Sequence, residues 1–315
     1  MIEKTVKVYL DTLPFEISGR AVALGLFDGV HEGHAQIIRK TVKAAKQNGM
    51  KSSVMTFSGS VKGQSKSITT LEERLEILSE FGVDEMVVLD FDRIKDMEPK
   101  DFLFNILKIN LNAKALFAGK DFRFGKGAKG DVDELKAFGK EYDVAVKIFE
   151  DKLYEDTNQR ISSSWIREAL EEGQAELAMG LMGGRPFSYS GIVTKGRQLG
   201  RTLGFPTANI EIPEEKITAR RGVYASLTHI GNNVYPSVTN VGRRPTVDDK
   251  AADNAETYIF DFDEDIYGAR IKVDLLSFTR PEMKFGDIEA LAAQVASDKL
   301  EAKTYHSKSG IMSEK

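Results

Sequence analysis

The sequence predicts an α/β domain built on a parallel sheet, followed by an all-β barrel or sandwich that ends in a C-terminal helix. Three observations predict it. Strand and helix patterns alternate from Arg20 to Glu150, short strands take over from Ser188, and 315 residues is about twice the length of a typical single domain.

In chain order, "RAVALGLF" (Arg20 to Phe27) is an apolar run that reads as a buried strand. "HAQIIRKTVKAAKQNG" follows as a helix with Ile37, Ile38, Val42 and Ala45 on one face and Gly49 as its stop. "SSVMTF" is the second strand. Thr70 and Glu73 form a capping box ahead of "RLEILSEFG", where Leu75, Leu78 and Phe81 share a stripe. Strand "EMVVLDF", helix "PKDFLFNILKI", strand "KALFAG", helix "DVDELKAFGKEY" and strand "DVAVKIFE" continue the cycle. Gly183 and Gly184 mark the expected boundary, giving domains 1–183 and 184–315. Beyond it come "SYSGIVT", "TANIEI", "GVYASLTHI", "VYPSVTNV", "AETYIFDF" and "ARIKVDLLSF", with a hairpin turn at Gly231 to Asn233. In the closing helix, Ile288, Leu291, Ala292 and Val295 are expected to pack on that sheet.

Composition excludes several classes. A net charge of −4 leaves no general footprint for nucleic acid. The absence of cysteine rules out disulfides, thiolate metal sites and cysteine nucleophiles. No signal-peptide core and no membrane-length apolar run occurs, so a cytoplasmic protein without membrane contact is expected. Homo-oligomers remain open.

Two of the four histidines stand three apart in "GLFDGVHEGH" (Gly25 to His34), where the first strand hands over to the first helix. Ligands in open parallel sheets bind beyond the carboxyl ends of strands, and a helix N-terminus there offers free N–H groups to an anion. Gly25, Gly29 and Gly33 would let a phosphate approach the backbone, and His31 and His34 would bring removable positive charge. A chelating half-site is the alternative, although only His229 and His306 remain elsewhere. "ISSSWIREALEEG" opens a helix on which Ser163 and Arg167, four apart, could both hold phosphate oxygens; an ordinary cap and a surface arginine would look the same. "GKDFRFGKGAKGD" (Gly119 to Asp131) interleaves Phe122 and Phe124 with cations, which suits a flat phosphorylated ring, an RNA loop or a plain surface turn. In "GIVTKGRQLGRTLGFPTANI", Arg197 and Gln198 occupy the places a Walker motif reserves for Lys and Ser/Thr. Thr207 and Asn209 offer hard oxygens for Mg²⁺, with glycines and Arg201 to wrap a triphosphate, or the stretch is a polar turn entering a strand.

The "H-x-G-H"-like ending after a first strand resembles the signature of the nucleotidyltransferase superfamily, and "ISSSWIREALEEG" its second ATP motif. "GRQLGRTLGFPTANI", "GVYAS", "TNVGRRPTV" and "AETYIFDFDEDIYG" are similar to riboflavin kinase. Joined, they resemble the bifunctional bacterial riboflavin kinase/FMN adenylyltransferase family, also called FAD synthetase. The resemblance implies a Rossmann-like nucleotidyltransferase domain followed by an all-β riboflavin-kinase barrel. It implies phosphorylation of riboflavin to FMN with ATP and Mg²⁺, then transfer of AMP from ATP to FMN, with these small molecules as partners. By that resemblance Glu256 is the kinase base, Thr207 and Asn209 hold Mg²⁺, and Gly191, Gly196, Arg201 and Gly204 join them at ATP. Asn240, Arg243, Arg244 and Thr246 form a flap over the flavin. In the first half, His31 and His34 act on the transferring phosphate, and Gly25, Phe27, Asp28, Gly29, Gly33, Ser163 and Arg167 hold ATP. Asp121, Phe122 and Phe124 hold flavin there. Two departures imply weaker FMN use: Ser58 to Val61 replace a Pro-His-Pro segment, and Ala128 stands where relatives often carry arginine. The alternative expectation is therefore a kinase with a weakened or inactive adenylyltransferase half; a flavin-binding regulator is a third reading.

Overall fold

A buried arginine opens the central strand of the first sheet. In the computed structural model, which describes residues 6–11, 18–59, 66–195, 205–244 and 252–311, Arg20 is fully buried. Its guanidinium pairs with Glu85 at 2.8 Å, and Glu85 also accepts the Ser53 hydroxyl at 2.6 Å. A charge inside a sheet is tolerated only when paired and hydrogen-bonded, and here three strands supply the partners.

Six parallel strands build this sheet, in the order β1 (Lys7–Leu10), β4 (Glu85–Asp90), β3 (Lys51–Ser58), β2 (Arg20–Leu24), β5 (Ala113–Gly119), β6 (Ala145–Phe149). Every residue of β2 is buried because both faces are covered. Val22 and Leu24 face one core, Ala21 and Ala23 the other. Helix α1 (Glu32–Gln47) buries Ile37, Ile38, Val42 and Ala45, and α2 (Leu71–Glu80) begins with the expected capping box on Thr70 and Glu73. Of the α2 stripe, Leu78 is fully buried, while Leu75 and Phe81 pack at its margin. After the short α3 (Phe91–Ile94), α4 (Pro99–Asp101) runs into a π-helical stretch, Phe102–Asn110, where an ordinary helix is expected. The wider turn lets Phe102, Leu103, Ile106 and Leu107 all reach the core, and the Leu111 N–H closes on the Ile106 carbonyl five residues back. Helix α5 (Val132–Tyr142) completes this half.

The chain divides into two compact units, 1–163 and 164–315. The division falls before the Gly183–Gly184 boundary expected from sequence. Helix α6 (Ser163–Glu172) and α7 (Ala175–Leu181) group with the second unit because they are tied to it. The Arg220 N–H donates to the Leu170 carbonyl at 2.8 Å, and α7 packs on β7 and β12.

That unit holds a second six-stranded sheet, antiparallel throughout, in the order β7 (Phe187–Ile192), β12 (Arg270–Pro281), β9 (Gly222–Ile230), β10 (Asn233–Arg244), β11 (Ala252–Ile259), β8 (Ala208–Glu211). Two irregularities in β12 bend it, and the edges meet where the Thr194 N–H donates to the Asn209 carbonyl at 2.8 Å. Space is tight beside that meeting point, since a Cβ on Gly191 would stand 3.1 Å from the Ile210 Cβ and press on it. The sheet is thus a nearly closed barrel. Buried hydroxyls, not only methyls, fill part of it: Ser226, Ser237, Thr239 and Thr257 form a continuous chain of hydrogen bonds at 2.7–2.9 Å. The hairpin turn lies at Gly231–Asn232, as expected.

The final helix, α8 (Ile288–Lys308), lies on β9, β10 and β12 along the expected stripe, but the stripe is buried most deeply in its C-terminal half. Ile288 is 56% exposed, and Leu291, Ala292 and Val295 are half-buried. Asp298, Ala302 and His306, further along the same stripe, are the buried residues. Polar anchors decide the orientation: Asp298 takes a two-point contact from Arg280 at 2.7 and 2.6 Å, and the His306 ring meets the Ser237 carbonyl at 3.0 Å.

Candidate functional site

β2 and β5 are neighbours, but the strands after them extend to opposite sides of the sheet. A crevice therefore opens at their carboxyl ends. The Gly25–His34 segment leaves β2 and the Gly119–Asp131 loop leaves β5 at that crevice. The turn before α1 is left-handed at three residues, Phe27 (φ 52), Gly29 (φ 74) and Val30 (φ 39). Such backbone is costly for a β-branched valine and marks a constrained site.

His31 is the N-cap of α1: its Nδ1 accepts the His34 N–H at 3.3 Å, which leaves Nε2 to carry the proton of the neutral ring. The two imidazoles stack at 3.6 Å, and the Phe27 ring meets His34 edge-on at 5.2 Å. Gly33 leaves the His31 ring room, since a Cβ there would stand 3.1 Å from it and press on it. Burial, helped by the Arg160 charge, pushes the His31 pKa down to about 4. The removable positive charge expected of His31 is thus absent at neutral pH in the free protein, and its ring acts as a neutral donor.

A pH dependence follows. The ordinary histidine value is 6.5 and the folded value about 4, so protonation favours the unfolded chain. Stability is complete above pH 6.5 and falls as the pH drops toward 4, by up to about 3 kcal/mol. Denaturant unfolding at pH 7 and pH 4.5 should show a steeper acid loss in the wild type than in His31→Asn.

Asp28 is buried, and its carboxylate accepts the N–H groups of Ile68 and Thr69 at 2.9 and 3.1 Å. Its carbonyl accepts the Ser163 hydroxyl at 2.9 Å. Asp28 thus braces the turn, and its carboxylate is engaged by protein. Arg167 follows Ser163 on α6 by one turn and is half-buried.

In the β5 loop, Asp121 pairs with Arg160, whose Nε also contacts Asp151 at 3.0 Å. Phe122 and Phe124 are both buried, stacked on each other at 5.7 Å, and Phe124 lies against Phe102 at 5.4 Å. Both rings pack into the core and anchor the loop. Arg160 is the residue that motif reading missed. It stands directly before "ISSS", and only the fold shows it beside His31 and Asp121.

In the second unit, β8 and β11 pair so that Asn209 lies opposite Glu256, and β10 places Asn240 opposite Glu256 on the other side. The Thr207 hydroxyl donates to Glu256 Oε1 at 2.6 Å, and Asn209 Nδ2 lies 3.5 Å from Thr207 Oγ1. Asn254 donates to Asn209 Oδ1 at 3.3 Å. Of these residues, Thr207 and Asn209 line a cleft of about 230 Å³ that is also lined by the Phe262–Tyr267 segment. Its sequence signal was the acidic run "DFDEDIYG", read only as part of a motif. Arg243 is exposed at the far end of the pairing, opposite Asp253, and Arg244 ends β10. Gly191 lies in β7, where barrel closure explains it. Gly196, Arg201, Gly204 and Thr246 fall outside the described residues.

Thr207 and Asn209 suit Mg²⁺ in kind: they are adjacent, oxygen-bearing and few, and this ion completes its shell with water and phosphate. Among the described residues no group of three His, Asp or Glu gathers as a self-sufficient metal cage. No helix among them is long and apolar enough to cross a membrane.

Comparisons with known proteins fall on the same two halves. The FAD synthetase family matches residues 14–165 and the riboflavin kinase family residues 183–306. A bifunctional riboflavin kinase/FMN adenylyltransferase of Bacillus subtilis is 36% identical over 91% of this chain and 92% of its own. That of Escherichia coli is 34% identical over 91% and 93%. A crystal structure described as a macrolide-efflux protein from Streptococcus pneumoniae superposes with a TM-score of 0.83 at 31% identity, covering 95% of this chain and 99% of that one.

Proposed function

The chain belongs to the bifunctional riboflavin kinase/FMN adenylyltransferase family, and from that premise we propose that it converts riboflavin to FMN and FMN to FAD at two separate centres. Residues 184–315 serve the first step and residues 1–183 the second. The observation that carries this reading is the presence in one chain of two distinct polar clusters, His31–His34 beyond β2 and Thr207–Asn209–Glu256 beside the barrel cleft. No finding favours an inactive half.

In the kinase step the ribityl 5′-oxygen of riboflavin bonds to the γ-phosphorus of ATP, the bond to the β-phosphate oxygen breaks, and Glu256 takes the hydroxyl proton. The Thr207 hydroxyl, donating to Oε1, leaves the second carboxylate oxygen to receive that proton. Thr207 and Asn209 would hold Mg²⁺ together with the nucleotide, and the ion when bound would supply neutralisation of charge on the transferring group. Asn240, across the ladder from Glu256, helps hold the flavin, with Arg243 and Arg244 on the same strand.

In the adenylyl step an FMN phosphate oxygen bonds to the α-phosphorus of ATP, and pyrophosphate leaves. The attacking group is already anionic, so the protein supplies position and charge stabilisation and needs no covalent nucleophile. His31 donates from Nε2, with His34 stacked beside it, the α1 N-terminus behind them, and Ser163, Arg167 and Arg160 as further phosphate partners. Asp121, held by Arg160, contributes to the flavin side. Riboflavin, FMN and ATP are the partners, and the cytoplasm, which supplies ATP, is the proposed location.

One assay tests both halves. Incubation with riboflavin, ATP and Mg²⁺, with the flavins resolved by chromatography, should yield FAD. FMN as the end product would overturn the second centre, and unchanged riboflavin would overturn both.

A further inference from the structure

A knot of buried polar groups braces the turn that precedes His31. Arg74, on the first turn of α2, is 2% exposed. Its Nη1 donates to the Thr56 hydroxyl at 2.9 Å, and Thr56 in turn donates to the Leu26 carbonyl at 2.7 Å. Its Nη2 donates to the Thr69 carbonyl at 3.1 Å and lies 3.6 Å from Asp28 Oδ1. Thr69, also buried, accepts the Gly29 N–H on Oγ1 at 3.0 Å and reaches Asp28 Oδ1 at 3.4 Å. One guanidinium and two hydroxyls therefore connect the end of β2, the end of β3, the 66–70 loop and the turn that precedes α1.

We propose that Arg74 and Thr69 are positioning residues for adenylyl transfer, fixing the left-handed Phe27–Val30 turn from behind and thereby setting where His31 and His34 stand. The inference rests on the reading of that crevice as the FMN adenylyltransferase centre. A buried ion pair is weak evidence for stability, since an apolar group of similar volume often serves as well. Directional bonds do what apolar packing cannot: they select one backbone path. This turn needs such selection, because Val30 at φ 39 resists its own conformation and the N–H of Gly29 is held by Thr69. His31 begins one residue beyond Val30, so any relaxation of the turn moves the cap and the stacked rings together. A displacement of about 1 Å at a phosphoryl-transfer centre costs on the order of a hundredfold in rate.

The test uses the full-length chain and four variants: Thr69→Val, Thr69→Ser, Arg74→Gln and Arg74→Lys. FAD formation from supplied FMN and MgATP is measured as kcat and KM, with riboflavin phosphorylation followed on the same preparations. Thr69→Val removes the acceptor of the Gly29 N–H at nearly constant shape. It and Arg74→Gln should each lower kcat for FAD formation about 10- to 100-fold, with KM for ATP within about threefold and riboflavin phosphorylation within about twofold of wild type. Thr69→Ser should restore most of the rate, and Arg74→Lys should lie between. Retention of kcat within about twofold in Thr69→Val would overturn the proposal, as would a loss confined to KM or a parallel fall in both activities. If Arg74→Gln does not fold, the Thr69 pair decides alone. A wild-type chain that made no FAD, or a His31→Ala variant of full activity, would instead overturn the reading of the site itself.

Discussion

Glu256→Gln should lower FMN formation from riboflavin by about a thousandfold while leaving conversion of supplied FMN to FAD within about twofold of wild type, since a positioned general base contributes roughly 10²–10⁴ in rate. The substitution is nearly isosteric, and the amide oxygen can still accept the Thr207 hydroxyl that now meets Oε1 at 2.6 Å. The strand pairing that sets Glu256 opposite Asn209 and Asn240 is made by backbone and is untouched. What disappears is the ability to take a proton from an alcohol whose own acidity is far too weak for it to react as the free alkoxide. Separate rate measurements for the two steps, with riboflavin or FMN as the starting flavin, give the answer. If both steps fell together in a folded protein, the assignment of two independent centres would be wrong.

His31→Ala should do the reverse. FAD formation from FMN should drop by about 10²–10³, the cost typical of removing one preorganised donor from a developing anion, and riboflavin phosphorylation should persist. The side chain has two duties that alanine cannot perform. It caps α1 through Nδ1, and its neutral ring, 3.6 Å from the His34 ring, keeps Nε2 as the proposed donor. His31→Asn, which keeps a cap acceptor and an N–H donor, should recover part of the loss. The partial recovery separates the cap from the catalytic donor, because stability should return more fully than rate.

Both predictions concern residues that the sequence made visible to different degrees. His31 and His34 stood out locally: paired histidines among glycines, at a strand-to-helix junction, can be read from spacing and pattern. Glu256 had no such signal and came only from resemblance to a family, because its neighbours Thr207 and Asn209 lie nearly fifty residues away and meet it only through the β8–β11 pairing. The alternation of the first half was legible because buried strands and amphipathic helices impose their own periods. β1 escaped notice, being four residues long, at the sheet edge, and with Leu10 61% exposed. Phe122 and Phe124 show what local reading leaves out: lysines and glycines around them suggest a ligand surface, and the fold adds that both rings pack into the core. The stripe of α8 shows it too, since Asp298 and His306 look out of place on it until Arg280 and the Ser237 carbonyl are brought to them. Long-range polar pairing leaves no trace in periodicity.

The Thr194–Asn209 bridge has a consequence for how the barrel responds to its substrate. Asn209 fastens the hoop shut with its main chain and also lines the cleft, so the residue proposed to hold a nucleotide is the clasp between the first and last staves. By mass action, any ligand that binds the cleft only while the ring is closed would make the ring harder to open.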